Sequence, residues 1–305
     1  MKTSRFMGNC TGTLIFMCLA IAGCTTTDYG GGVKAFSRAV SQATATQRTL
    51  ASAAEEAAVA EYIGASAGHK AVIHFTRCRA VPYKAGGCVV EVQGLKPPAV
   101  ESSSMGELTR YAALLSAVVA DKTCVSLQSD AADLASAVSG MAKEAHVSEL
   151  QGAVSPLANI VSTAGCIRIT HEQLAILRAA TGRANPIIKK LIPLVAQNDD
   201  DMYRTAVDYA VSRLDDATTA YNRVKTAKEL ERVVTLSLSV DKAQSENPGP
   251  IVRRLATIHQ ALTDDLRAPK VNWKRIKTDG RAFVANAKTL GSSVEALAKA
   301  VEYAR

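Results

Sequence analysis

Aromatic residues are scarce in this 305-residue chain, at 5 % with a single Trp. That scarcity argues against a large ligand cavity walled by aromatic side chains. Long apolar runs are missing too. Beyond the first two dozen residues nothing approaches the ~18 uninterrupted apolar positions of a membrane-crossing helix. Metal-ligand spacings are absent: there is no Cys-x-x-Cys and no His-Glu-x-x-His, and His69 and His74 stand five apart, which suits neither a helix face nor a strand face. These two and His146, His171 and His259 are read as separate structural or surface histidines. Asp199-Asp200-Asp201 lacks the Gly and the distal Glu of a calcium loop and is expected to charge the N-terminus of a helix starting at 202. No metal and no cofactor is expected.

What is present is globular, with 48 % apolar and 21 % charged residues. Abundant alanine with few aromatics suits closely packed helices better than sheets. The net charge of +8 is uneven: residues 151–305 carry 23 basic against 16 acidic side chains, whereas 24–150 carry 11 against 12. A basic second half suits anionic partners.

The N-terminus has a distinct pattern. Lys2 and Arg5 precede an apolar run from Leu14 to Ala22, which ends in Ile21-Ala22-Gly23-Cys24. A basic start, a short apolar stretch and small residues before a cut describe a secretory signal. With the cysteine directly after the small residues, the segment resembles the lipobox of bacterial lipoproteins. The resemblance covers residues 1–24 only. It implies a removed signal at 1–23, lipidation of Cys24 and attachment to the membrane through acyl chains, two or three of which hold stably where one does not. Thr25 stands where an aspartate would mark inner-membrane retention, so the periplasmic face of the outer membrane is the favoured address. In that compartment nucleic acid is not an expected partner, whereas anionic lipid, cell-wall polymer or an envelope protein is.

Outside the signal and Cys24 stand Cys78, Cys88, Cys124 and Cys166. An even number in an exported chain reads as two disulfides, and Cys78–Cys88 with Cys124–Cys166 is the expected pairing because the first can close a hairpin locally.

Residues 24–32 form a flexible lipidated tether, about 15–17 Å in mean reach, ahead of a body at 33–305. Val33, Phe36, Val40, Ala43, Gln47, Leu50, Ala54 and Ala57 then recur at helical spacing, which predicts a helix to about Ala67. Residues 71–93 break the period with β-branched runs around Pro82, Gly86 and Gly87 and predict a hairpin insert. Ser104 with Glu107 suggests a capping box for a helix to about Ala120, and helices follow near 129–145, 148–164 and 171–181. Asn185-Pro186 suits a helix start and Pro193 a kink. A second stripe runs from Tyr203 to Val224. Residues 232–240 are read as a helix end. The strongest break is 247–250, and helices near 250–266 and 271–303 close the chain. The fold class is therefore mainly α: long antiparallel helices in a bundle with a small disulfide-linked β-hairpin insert.

Chemistry-bearing motifs are thin. Gly64-Ala65-Ser66-Ala67-Gly68 matches G-x-S-x-G, but a helix enters it where the hydrolase elbow needs a strand, and C-capping explains the glycines. Ser239-Val240-Asp241-Lys242 matches S-x-x-K without its companion motifs. The most suggestive patch is basic: Arg267, Lys270, Lys274, Lys277 and Arg281 on one helical face, with Trp273 beside them, as a surface for anionic headgroups or wall polymer. The expectation is a lipid-anchored, non-enzymatic structural, adaptor or interaction module. Its alternatives are a cell-wall-active or serine hydrolase and a membrane-active helical protein.

Overall fold

The computed structural model describes residues 29–66, 73–74, 91–92, 102–147, 169–245, 247–268 and 273–303. The elements are α1 (Tyr29–Ser66), β1 (Ile73–His74), β2 (Glu91–Val92), α2 (Ser102–Ala120), α3 (Cys124–Glu144), α4 (Ile169–Val224), α5 (Ala227–Gln244), α6 (Pro248–Arg267) and α7 (Trp273–Tyr303). The protein is mainly helical, and among the described residues no helix is long and apolar enough to cross a membrane.

The stripe in α1 forms as its spacing requires: Val33, Phe36, Val40, Ala43, Gln47, Leu50, Ala54 and Ala57 are all buried. Small residues on that stripe let neighbouring helices come close. A Cβ on Gly280 of α7 would lie 2.8 Å from the Ala35 Cβ, and one on Gly30 would lie 3.0 Å from Val119 in α2. The glycines are therefore what allows these crossings. Gly30–Gly32 belong to α1, which begins four residues earlier than the periodicity suggests. The tether expected over 24–32 is cut back to residues before Tyr29, and those lie outside the described residues.

The helices are not all antiparallel. Gly280 meets Ala35 and Gly291 approaches Thr46 and Gln42, so α7 runs in the same direction as α1. Gln47 bonds Asp199 and Gly64 faces Arg213, so α4 does too. Against α1, α2 runs oppositely, joined by Thr44 and Thr109. Two helices placed end to end return along α4. Tyr203 donates to the Ala243 carbonyl of α5, while Asp200, Asn185 and Arg178 reach Gly249, Gln260 and Leu266 of α6. The 247–250 break is thus a joint between two segments covering one long neighbour rather than a domain boundary, and Asn247 caps α6 there.

Helix α4 is 56 residues long and passes through both Pro186 and Pro193. No helix starts at Asn185 and none starts at 202. An interior proline costs a helix about 3 kcal/mol. Both rings are exposed, seven residues apart on the outer face, so the carbonyls they leave unpaired can reach water. On the inner face Ile187, Ile188, Leu191 and Ile192 are buried, at roughly 1.5–3 kcal/mol each, which outweighs the two prolines. Asn185 does not cap: its amide bonds Gln260 instead.

Other local readings are corrected in the same way. Ser104 is buried inside α2, two residues past its start, so it opens no capping box. Helix α3 begins at Cys124 under an N-cap from Thr123, five residues before the expected start. Residues 232–240 are interior to α5. The disulfide-linked hairpin over 71–93 is not supported: the described part is a ladder of Ile73 with Val92 and His74 with Glu91, and Cys78 and Cys88 lie outside the described residues. The helix expected over 148–164 lies outside them as well.

Two glycine substitutions test this packing by urea or thermal unfolding. Gly106, within α2, has nothing within 4 Å of an added Cβ. Gly106→Ala should therefore stabilise by about 0.5–1 kcal/mol. Gly280→Val should destabilise by about 1–3 kcal/mol because Ala35 blocks the side chain. Equal effects of the two would contradict the close α1–α7 crossing.

Candidate functional site

The crossing at Gly280 and Ala35 opens into a groove between α1 and α7. It has a volume of about 320 Å³ and is lined by Gly31, Lys34, Ala35, Arg38, Lys277, Gly280, Arg281 and Val284. Each wall supplies two cations at i, i+4 spacing, Lys34 with Arg38 and Lys277 with Arg281, and none of the lining side chains is acidic. Like charges at this spacing repel by a few tenths of a kcal/mol per pair. Helices α1 and α7 both start at this end of the bundle, and the C-terminus of antiparallel α2 lies beside Gly30. The charge of the groove therefore comes from its side chains rather than from helix dipoles. The arrangement can hold an anion between two walls.

Of the basic cluster foreseen in the sequence, Lys277 and Arg281 are in this groove. Arg267 is not: it ends α6, and its guanidinium lies 2.6 Å from where a Cβ of Gly182 would be. The helix stops at Arg267 and α7 starts at Trp273, so the cluster does not share one face. Lys270 lies outside the described residues. Trp273 and Lys274 open α7, with their side chains outside the description. Sequence reasoning missed Lys34 and Arg38. The glycines at 30–32 and 280, which mark where helices approach, were the signal available.

The other chemistry-bearing residues hold helices together. Tyr111 of α2 lies with its hydroxyl 2.9 Å from His259 Nε2, and His259 Nδ1 is 3.3 Å from Asn185 Oδ1. The Asn185 amide donates to Gln260 at 2.7 Å, which donates to Asp264 at 2.6 Å. Phe36 of α1 packs edge-on against the imidazole at 5.2 Å. These bonds fit one neutral tautomer, with Nδ1 donating and Nε2 accepting. Burial drives the His259 pKa down to about 3. His259 is fully enclosed, which suits a lock between α1, α2, α4 and α6 rather than proton transfer to a substrate.

The three aspartates divide their roles within α4. Asp199 is buried and accepts a 2.8 Å bond from Gln47; burial pushes its carboxyl up to about 7, opposed by the Gln47 bond and reinforced by the charge of Asp200. Asp200 accepts from the Gly249 N–H at 2.9 Å and pairs with Arg253 at 3.0 Å, so it charges the N-terminus of α6. Asp201 pairs with Arg204 at 3.7 Å on the surface.

Among the described residues, no group of three or more His, Cys, Asp or Glu side chains converges as metal ligands would. Gly64 and Ser66 end α1, so a helix enters the G-x-S-x-G match. Ser239 and Lys242 sit within α5, the lysine exposed. Cys124 is disulfide-bonded, and Cys24, Cys78, Cys88 and Cys166 lie outside the described residues.

Two buried groups give opposite pH effects. Unfolded His259 takes up a proton near pH 6.5, and the folded one only near pH 3, so its contribution weakens the fold as pH falls through that window. Folded Asp199 keeps its proton up to about pH 7, whereas the unfolded residue loses it near 3.8, so its contribution is lost as pH rises between those values. The two oppose each other from about pH 4 to 6.5. Asp199→Asn should remove one slope: relative to the parent, the variant gains stability steadily from pH 4 to 7 in urea titrations. Parallel pH profiles for the two proteins would refute this role.

Compared with known protein families, curated proteins and solved structures, the chain matches none.

Proposed function

We propose that this chain is a membrane-anchored lipoprotein of the bacterial envelope. It acts as a non-enzymatic structural, adaptor or interaction module, with its α1–α7 groove turned towards the leaflet that holds the acyl chains on Cys24. The observation that carries this reading is the position of the cations. Cys24 precedes Tyr29 by five residues, which span at most about 18 Å, and the groove begins two residues into α1. The outer membrane, periplasmic face, remains the favoured address, and anionic lipid or wall polymer the favoured surface.

The opposite end supports the adaptor side of the proposal. Several large exposed apolar side chains lie where α1 and α7 finish and α4 turns into α5, namely Ile63, Val224, Leu230, Val234, Leu238 and Tyr303, although Val125 at the start of α3 and Leu194 within α4 are exposed elsewhere. At 1.5 Å per residue that end stands on the order of 60 Å from the start of α1. An envelope protein docking there would be held away from the membrane at the height that the bundle sets.

The finer architecture that accompanies this reading pairs Cys78 with Cys88 across a hairpin at 71–93 and Cys124 with Cys166. The disulfide at Cys124 supports the second bridge and an oxidising compartment.

Labelled palmitate should enter the wild-type chain in a bacterial host and be lost on Cys24→Ala. The Cys24→Ala body should bind vesicles containing phosphatidylglycerol at low salt and release them at high salt. Palmitate retained by Cys24→Ala, or binding that ignores lipid charge, would sink the proposal.

A further inference from the structure

The groove between α1 and α7 gathers four cations, two from each wall, and no acidic side chain into its lining. Four arginines outside the groove meet acids: Arg110 faces Asp133, Arg204 faces Asp201, Arg213 faces Asp216 and Arg253 faces Asp200. In the groove, Lys34, Arg38 and Arg281 have no acid within ion-pair distance among the described residues. Helix α1 carries no acidic residue before Glu55, and α7 carries Asp279 alone before Glu295. The sequence has thus placed two like-charged pairs face to face where Gly280 brings the helices together.

We propose that this groove is a binding site for a phosphate group, with room for a diphosphate, gripped from one side by Lys34 and Arg38 and from the other by Lys277 and Arg281. Arginine on each wall offers the fork that matches phosphate oxygens, and lysine beside it adds charge. The volume of about 320 Å³ lies at the low end of the ~300–1,000 Å³ of small-molecule sites. Ala35 and Val284 line the groove beside the cations, a surface suited to the carbon skeleton that carries the phosphate. The phosphate can come from a lipid headgroup or from a soluble molecule; the lipid source rests on the membrane-facing orientation proposed above, and the site itself does not.

The test uses the full lipidated chain in nanodiscs of phosphatidylcholine, titrated with inorganic pyrophosphate by calorimetry. Wild type should bind, and Arg38→Gln with Arg281→Gln should weaken binding by roughly tenfold or more, as loss of charge-assisted hydrogen bonds does. The independent pair Lys34→Gln with Lys277→Gln should act in the same direction. Lys189→Gln with Lys190→Gln, on the exposed face of α4, removes the same charge and should change nothing. Unaltered melting temperatures establish that the variants fold. No pyrophosphate binding by wild type, or equal loss in the Lys189/Lys190 control, overturns the site. Given a wild-type response, nanodiscs with phosphatidylglycerol assign the source: weaker pyrophosphate binding there means that headgroups occupy the groove, and unchanged binding means a soluble phosphate. A Cys24→Ala body that binds anionic vesicles while wild type ignores pyrophosphate would retain the membrane reading and discard this site.

Discussion

Continuity of α4 through Pro186 and Pro193 is the condition on which the architecture rests. A helix that broke at either proline would yield two shorter helices, each free to reverse, and α1 would lose a full-length neighbour running its own way. The break is avoided because the prolines face water while Ile187, Ile188, Leu191 and Ile192 face the core. With α4 intact, no other described helix is long enough to return beside it alone. Helices α5 and α6, 18 and 20 residues long, do so in series, and Asn247-Pro248-Gly249-Pro250 is the joint. That joint is fastened to α4 by Asp200 and Arg253.

Polar contacts in the interior then fix which helix lies against which. Apolar stripes rich in alanine would tolerate sliding, since one small residue resembles the next. His259 does not tolerate it: its two ring nitrogens need Tyr111 on one side and Asn185 on the other. Gln47 and Asp199 set the level of α1 against α4 in the same manner. A buried polar atom deprived of its partner costs about 1–3 kcal/mol, so a slipped arrangement is penalised where apolar packing alone would be nearly indifferent.

How much of this was legible in the sequence depended on the range of the interaction. The stripe of α1 was legible, because helical period is local and every member is buried as spaced. Direction was not, because it depends on which helices meet, and α1 and α7 meet across more than two hundred residues of chain. Asn185-Pro186 misled for the same reason: a proline's penalty is local, and what outweighs it is burial against other helices. The site was half legible. Lys277 and Arg281 stood out by density, whereas Lys34 and Arg38 look like ordinary polar-face residues until Gly280 brings α7 against Ala35.

Parallel packing also explains why the two ends of the bundle differ in chemistry. Here α1 and α7 start together, so their early lysines and arginines accumulate at one end. They finish together as well, next to the α4–α5 turn, where Ile63, Tyr303 and Leu230 remain exposed. A polarised rod of this kind has one end suited to anions and another suited to apolar surface. The two requirements do not compete for the same residues, because the length of α4 keeps them apart. The proposed adaptor role rests on that separation, which leaves each end free to meet its own kind of surface.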